Sequence, residues 1–123
     1  MRIIGTGPAG YPLSPAIEVD GLLFLSGQVS LEGGRGSDDI AAQTETVITA
    51  IESLLIEAGL SLHHVAKATV WLADARDFSG FNAVYSQRFS APYPARSCVV
   101  SQLLLDGARV EIEVVASRNR VRG

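Results

Sequence analysis

The stretch from residue 37 to residue 59 constrains the fold more than any other. Ile40, Val47, Ile48, Ile51, Leu54, Leu55 and Ala58 recur at helical spacing, while Gln43, Glu45, Thr49, Glu52 and Glu57 fall mostly on the other side. Asp38 or Ser37 can cap this helix and Gly59 can end it. A long helix with a single apolar stripe has to lie on another element, and the flanking segments supply strands. Ala16–Val19 and Gly21–Gln28 read as a hairpin about Asp20-Gly21. The second of these, GLLFLSGQ, is nearly all apolar before Ser26, which predicts cover on both faces. Residues 65 to 73 alternate as a third strand, with Ala66, Ala68, Val70 and Leu72 away from Lys67, Thr69 and Trp71.

A second helix is expected from Asp77, as its cap, through Phe89, with Phe78, Phe81, Val84, Tyr85 and Phe89 as its buried stripe. Two strands follow, 95 to 104 and 108 to 117, joined at Asp106-Gly107. No repeat or linker divides the chain, so residues 1–123 are expected to form one domain. The economical packing is an α+β fold, a mixed β-sheet with both helices on one face.

Composition narrows the function. Hydrophobic residues make up 47% and charged residues 19%, the balance of a globular chain. A net charge of -3 argues against nucleic acid as an obligate partner. Arg118, Arg120 and Arg122 read as a frayed basic tail, and LEGGRGS at 31–37 lacks the Lys-Ser/Thr of a phosphate loop. A single cysteine excludes an internal disulfide and a cysteine-based zinc site. No signal peptide or bilayer-length apolar run is evident, so the expected location is the cytoplasm.

A two-residue turn at Asp106-Gly107 would pair Leu103 with Val110, Ser101 with Ile112 and Val99 with Val114, under the helices. The opposite face would then carry Arg96, Cys98, Val100 and Gln102 beside Arg109, Glu111, Glu113 and Val115. That face is too charged for a sealed core and too apolar for free solvation, which suggests a cleft or a subunit interface. In this register Arg96 stands opposite Ser117, roughly 20 Å along the sheet from Glu111. Only a second copy of the chain could bring the two together.

Arg96 invites attention because a guanidinium entering a core needs an anionic partner, either a nearby carboxylate or a ligand. Cys98 reads as a packed small apolar residue, since no neighbour in sequence promises a lowered thiol pKa. His63 and His64 are adjacent in a connecting segment and lack metal-ligand spacing.

YPARSCVV followed by VEIEVVA, together with LFLSGQVS, the segment 39–74 and DFSGFNAVYSQRF, resembles the reactive-intermediate deaminase family, known as Rid or YjgF. The resemblance covers nearly the whole chain. It implies the chorismate-mutase-like fold and a homotrimer with sites between subunits. It also implies hydrolysis of enamine or imine intermediates, such as 2-aminoacrylate and its imine tautomer, to 2-oxo acids and ammonia. Arg96 matches the arginine that grips the substrate carboxylate, and Glu111 matches the acid that positions or activates water. Ser26 and Gly27 match the element lining the cleft. Cys98 matches a position whose carbonyl holds the water, and Asn82 an asparagine of structural or contact role. The resemblance implies no metal and no organic cofactor.

This chain departs from the family pattern before the second strand. GYPLSPAI places Leu13 and Pro15 where many members have tyrosine and glutamine, which leaves substrate range open. Two other functions stay open at this stage. One is a non-catalytic trimer that binds a carboxylate ligand, and the other is an endoribonuclease, which the acidic balance disfavours.

Overall fold

The computed structural model describes residues 1–30 and 39–120. The glycine-rich stretch 31–37, the cap candidates Ser37 and Asp38, and Arg122 lie outside these. Seven strands form one sheet: β1 (Arg2–Ile4), β2 (Ala16–Val19), β3 (Leu22–Leu25), β4 (Gln28–Val29), β5 (Val65–Leu72), β6 (Ala95–Val100) and β7 (Val110–Ser117). Helices α1 (Ile40–Glu57) and α2 (Phe78–Arg88) complete the fold. The sheet order is β1-β2-β3-β7-β5-β6, with β4 continuing beside β7.

The Asp20-Gly21 turn forms as its sequence requires. Both residues take positive φ, 53° and 80°, and Val19 pairs with Leu22 across them. The α1 cap is Asp39, whose carboxylate accepts from the Ala42 N–H at 2.8 Å. Val47, Ile48, Ile51 and Leu55 are fully buried, as the stripe predicts.

Gln43 was expected on the polar side and is instead fully buried. Its amide donates to the Gly107 carbonyl at 3.0 Å and accepts from the Arg109 N–H at 2.8 Å. It thereby satisfies two backbone groups of the loop before β7 that would otherwise be orphaned. Asp77 stands at the start of α2 but does not cap it with its side chain. Its carboxylate is taken by Arg109 Nε at 3.2 Å.

The expected hairpin of the last two strands does not form. Asp106-Gly107 does turn, with Ala108 N–H donating to Leu105 C=O, but β6 ends at Val100 and never meets β7. Strand β5 lies between them, parallel to β6 and antiparallel to β7. The cause is the order β5-α2-β6: a strand, a helix and a strand form a crossover unit whose two strands run parallel. The facing residues change accordingly. Ala68 lies beside both Arg96 and Val114, and Val70 beside both Cys98 and Ile112. Val110, Ile112 and Val114 do lie under the helices, as expected. Arg96 and Cys98 lie on that helix side too, whereas Val99 faces the other way.

Among the described residues, cover on both faces of β3 is also not found. Leu23 and Leu25 are buried, but Leu22 and Phe24 are exposed on the face away from the helices. Ile3, Ile17, Phe24 and Val115 form one row across that open face.

Arg118 and Arg120 are anchored and not frayed. Arg118 pairs with Glu18 and donates to the Ala58 carbonyl, while Arg120 donates to the carbonyls of His63 and Pro92. These contacts occupy them within the fold.

Candidate active site

Arg96 is carried on β6, an edge strand, and turns towards α2. Phe78, Phe81, Asn82 and Tyr85 recur at helical spacing and share the helix face it meets. The guanidinium carbon lies 4.7 Å from the Tyr85 ring centre, 5.5 Å from Phe81 and 5.8 Å from Phe78. Nη1 donates to Asn82 Oδ1 at 2.8 Å. Among the described residues no carboxylate pairs with Arg96, so the expected protein counter-ion is absent there. A cavity of about 360 Å³ opens at this point, lined by Asn82, Tyr85, Ser86, Tyr93, Pro94 and Arg96. The Tyr85 hydroxyl is buried beside it without a hydrogen-bond partner, and burial pushes its pKa up to about 12.

Cys98 follows on the same side of β6 and packs against the core. Burial raises its thiol pKa, with Arg96 opposing weakly, so the thiol form dominates at neutral pH.

Ser26, Gly27 and Glu111 assemble elsewhere. Phe24 faces Val115 and Gln28 faces Ile112, so four steps on one side match three on β7. This is a β-bulge at Ser26-Gly27, and it separates β3 from β4. The Ser26 hydroxyl donates to the Ser14 carbonyl at 2.6 Å and its N–H to the Pro15 carbonyl at 2.8 Å. Both of those donors are therefore committed to holding the N-terminal segment.

Gly27 is required by Glu111. A Cβ at position 27 would collide with Glu111 Oε2, so only glycine lets the carboxylate lie over this backbone. Glu111 projects from the open face of β7, next to Trp71 on β5 and Val29 on β4. Burial, reinforced by the nearby Glu113 charge, raises its pKa above the usual carboxylate range. Among the described residues it has no hydrogen-bond or ion-pair partner, the condition of a carboxylate poised to take a proton.

The expected site residues thus fall into two groups, and β5 keeps them apart. Arg96 is two strand spacings from β7, and Glu111 is three residues further along it, which sets their Cα atoms ~14 Å apart. Their side chains also leave the sheet on opposite faces. The sequence reading missed the aromatic wall behind Arg96, having assigned that stripe to the core alone. The available signal was Asn82, a polar residue set within an apolar stripe.

Among the described residues no cluster of three or more His, Cys, Asp or Glu could hold a metal ion, and no helix is long and apolar enough to cross a membrane. His63 and His64 lie in a short 3-10 turn, where His64 Nδ1 accepts from the Ser61 N–H at 3.1 Å.

An α+β fold with a guanidinium bare of counter-ion at a sheet edge, and a carboxylate over a glycine bulge, defines a class with known members. The sequence profile of the family described as Endoribonuclease L-PSP matches residues 6–118, and the chain belongs to this family, also called YjgF/Rid. A RutC family protein of Sinorhizobium fredii is 41% identical over 109 residues, covering 86% of each chain. A goat protein named 2-iminobutanoate/2-iminopropanoate deaminase is 39% identical over 121 residues, covering 94% of this chain and 88% of the relative. Among solved structures, E. coli TdcF with bound serine superposes with a TM-score of 0.86 at 31% identity, covering 97% of this chain and 100% of that one. RidA from an Antarctic Psychrobacter gives 0.84 at 33% identity, covering 95% and 99%.

Proposed function

We propose that this protein is an enamine/imine deaminase that hydrolyses 2-imino acids to 2-oxo acids and ammonia, in sites shared between subunits of a homotrimer. The observation that carries the reading is Arg96, a partly buried guanidinium stacked on three rings and without a carboxylate partner among the described residues. A planar fork in that setting suits the carboxylate of a 2-imino acid, and lysine would not reproduce it. Two relatives named as imine deaminases and a neighbour solved with bound serine support a small amino-acid-like ligand.

Water adds through oxygen to the C=N carbon while a proton passes to nitrogen. The resulting carbinolamine collapses to the ketone, and nitrogen leaves as ammonia. Glu111 takes the water proton and returns it to the departing nitrogen, a task that suits its raised pKa. Arg96 and Asn82 hold the substrate by its carboxylate, and the Gly27 backbone and Cys98 carbonyl border the water. Orientation of an already electrophilic carbon accounts for the chemistry, with no further group required.

Because one chain keeps Arg96 and Glu111 on opposite faces, the site requires Arg96 of one copy and Glu111 of another. The apolar open face containing Ile3 and Phe24 supplies a surface to bury between copies. The test is ammonia release from 2-aminoacrylate generated in situ, comparing wild type with Arg96→Ala. Acceleration by wild type and its loss in the variant support the reading. Equal, background rates across small and large imines refute it.

A further inference from the structure

Arg120 lies half-buried just past β7, outside the lining of the Arg96 cavity, yet it bonds the loop that forms one wall of it. We propose that Arg120 is a positioning residue of the candidate site: its guanidinium holds the 90–94 loop, and with it the Tyr93–Pro94 wall against which a ligand of Arg96 binds. The inference rests on the deaminase reading and adds to it a residue remote from the reacting atoms.

The cavity has two unequal sides. Asn82, Tyr85 and Ser86 belong to α2, whose own hydrogen bonds keep them in place. Tyr93 and Pro94 belong to the connection between α2 and β6, which holds itself poorly. Pro92 and Pro94 have no N–H to donate. The loop's side-chain contacts are long: 3.5 Å from the Tyr93 hydroxyl to the Ser86 carbonyl, and 3.5 Å between Ser90 Oγ and His63 Nδ1. The Tyr93 side chain is itself exposed, so packing within the chain does little to fix it.

Arg120 supplies what the connection lacks. Its Nη2 donates to the Pro92 carbonyl at 2.7 Å, one residue before Tyr93. Its Nη1 donates to the His63 carbonyl, in the 3-10 turn that leads into β5. The Arg120 N–H donates to the Ser117 carbonyl at 3.1 Å, which ties the arginine back to the end of β7. One charged, planar fork thus fastens the approach to β6 to the start of β5 and the end of β7. Lysine ends in a single nitrogen and does not reproduce two donors set apart in a plane. Because α2 forms the fixed side, the position of Pro92 sets the width of the cavity between Tyr93 and the Asn82–Ser86 face.

The test measures kcat/KM on 2-aminoacrylate generated in situ, and by calorimetry the Kd for pyruvate, the stable product bearing the same carboxylate. Wild type is compared with Arg120→Ala, Arg120→Lys, Tyr93→Ala and the double variant Arg120→Ala/Tyr93→Ala. Freeing the wall means that the loop must be ordered again on binding, so Arg120→Ala should raise Kd about tenfold and lower kcat/KM by the same factor. Amide hydrogen exchange should quicken at 62–64 and 90–95 and stay unchanged in the core strands. Without the Tyr93 ring there is no wall left to place, so adding Arg120→Ala to Tyr93→Ala should move Kd by less than about twofold. Arg120→Lys keeps the charge without the fork and should follow the alanine variant, which keeps the test decisive if the latter folds poorly. An unchanged Kd, or a rise that recurs in full on the Tyr93→Ala background, overturns the inference and leaves deamination intact. Exchange that quickens across the whole sheet overturns it too, since Arg120 would then serve stability alone. No acceleration of the imine by wild type, with a Kd that still depends on Arg120 through Tyr93, overturns the deaminase reading and supports the positioning role.

Discussion

Mixing two inactive variants should restore activity if the site is built from two copies. Arg96→Ala removes the carboxylate fork, and Glu111→Gln removes the proton acceptor. Losing a bidentate, charge-assisted contact costs about 3 kcal/mol, or about a hundredfold in kcat/KM. Removing the stacked guanidinium costs about 1 kcal/mol of stability, so the first variant should still fold. Each variant alone then forms trimers in which every site is broken. Co-expressed in equal amounts, copies assemble at random around the ring. A site is intact when its Arg96 comes from a Glu111→Gln chain and its Glu111 from an Arg96→Ala chain. In a head-to-tail ring that happens at about a quarter of the sites, so the mixture should reach about a quarter of wild-type activity. The expectation follows from the ~14 Å offset and the opposite faces of the two side chains. The assay is imine hydrolysis on hybrids purified through two different tags; removal of the homotrimers raises the expected share to about a third, because each hybrid ring holds one intact site in three. Hybrids no more active than their parents would mean that both residues act from the same chain, and would refute the shared site.

The remaining predictions concern stability. Glu111 has a raised pKa, so over the window from the usual carboxylate range up to that raised value the folded state binds more protons than the unfolded chain. Stability therefore falls as pH rises through that window, and the penalty is fully present above it. Glu111→Gln should melt higher than wild type at pH 7, with the gap closing in acid; a lower melting temperature at pH 7 would contradict an unpartnered carboxylate. Gln43→Ala strands the Gly107 carbonyl and the Arg109 N–H, and should cost about 2–4 kcal/mol in urea titrations. A loss below about 1 kcal/mol would mean that water replaces the amide.

The helices and the first hairpin were legible in the sequence because each rests on a local signal, whereas the candidate site residues came from a family resemblance. Asp20-Gly21 needs only positive φ at two positions, and the α1 stripe needs only its own spacing. The partner of β7 is not a local property. Asp106-Gly107 carries the same hairpin signal as Asp20-Gly21, yet it yields a turn without a hairpin because β5 competes for the same edge. Val65–Leu72 offers alternating residues and two bare edges, and the crossover through α2 sets β6 on one of them. Gln43 was misplaced for a related reason: its polarity is local, but the loop groups it satisfies come from 64 and 66 residues away.

The insertion of β5 also changes why the proposed site calls for two copies. A hairpin would have separated Arg96 from Glu111 along one shared face, a distance that a long side chain or a slipped register could shorten. With β5 between them and the side chains on opposite faces, no slip within the sheet can bring them together. Arg96 gains from this an aromatic wall that a place on the open face would not have offered. Glu111 gains a position over Gly27 with no ion-pair partner among the described residues of its own chain. In the proposed site, separating the pair within the chain keeps the cation available for a carboxylate and the carboxylate available for a proton until a second copy brings both to one substrate.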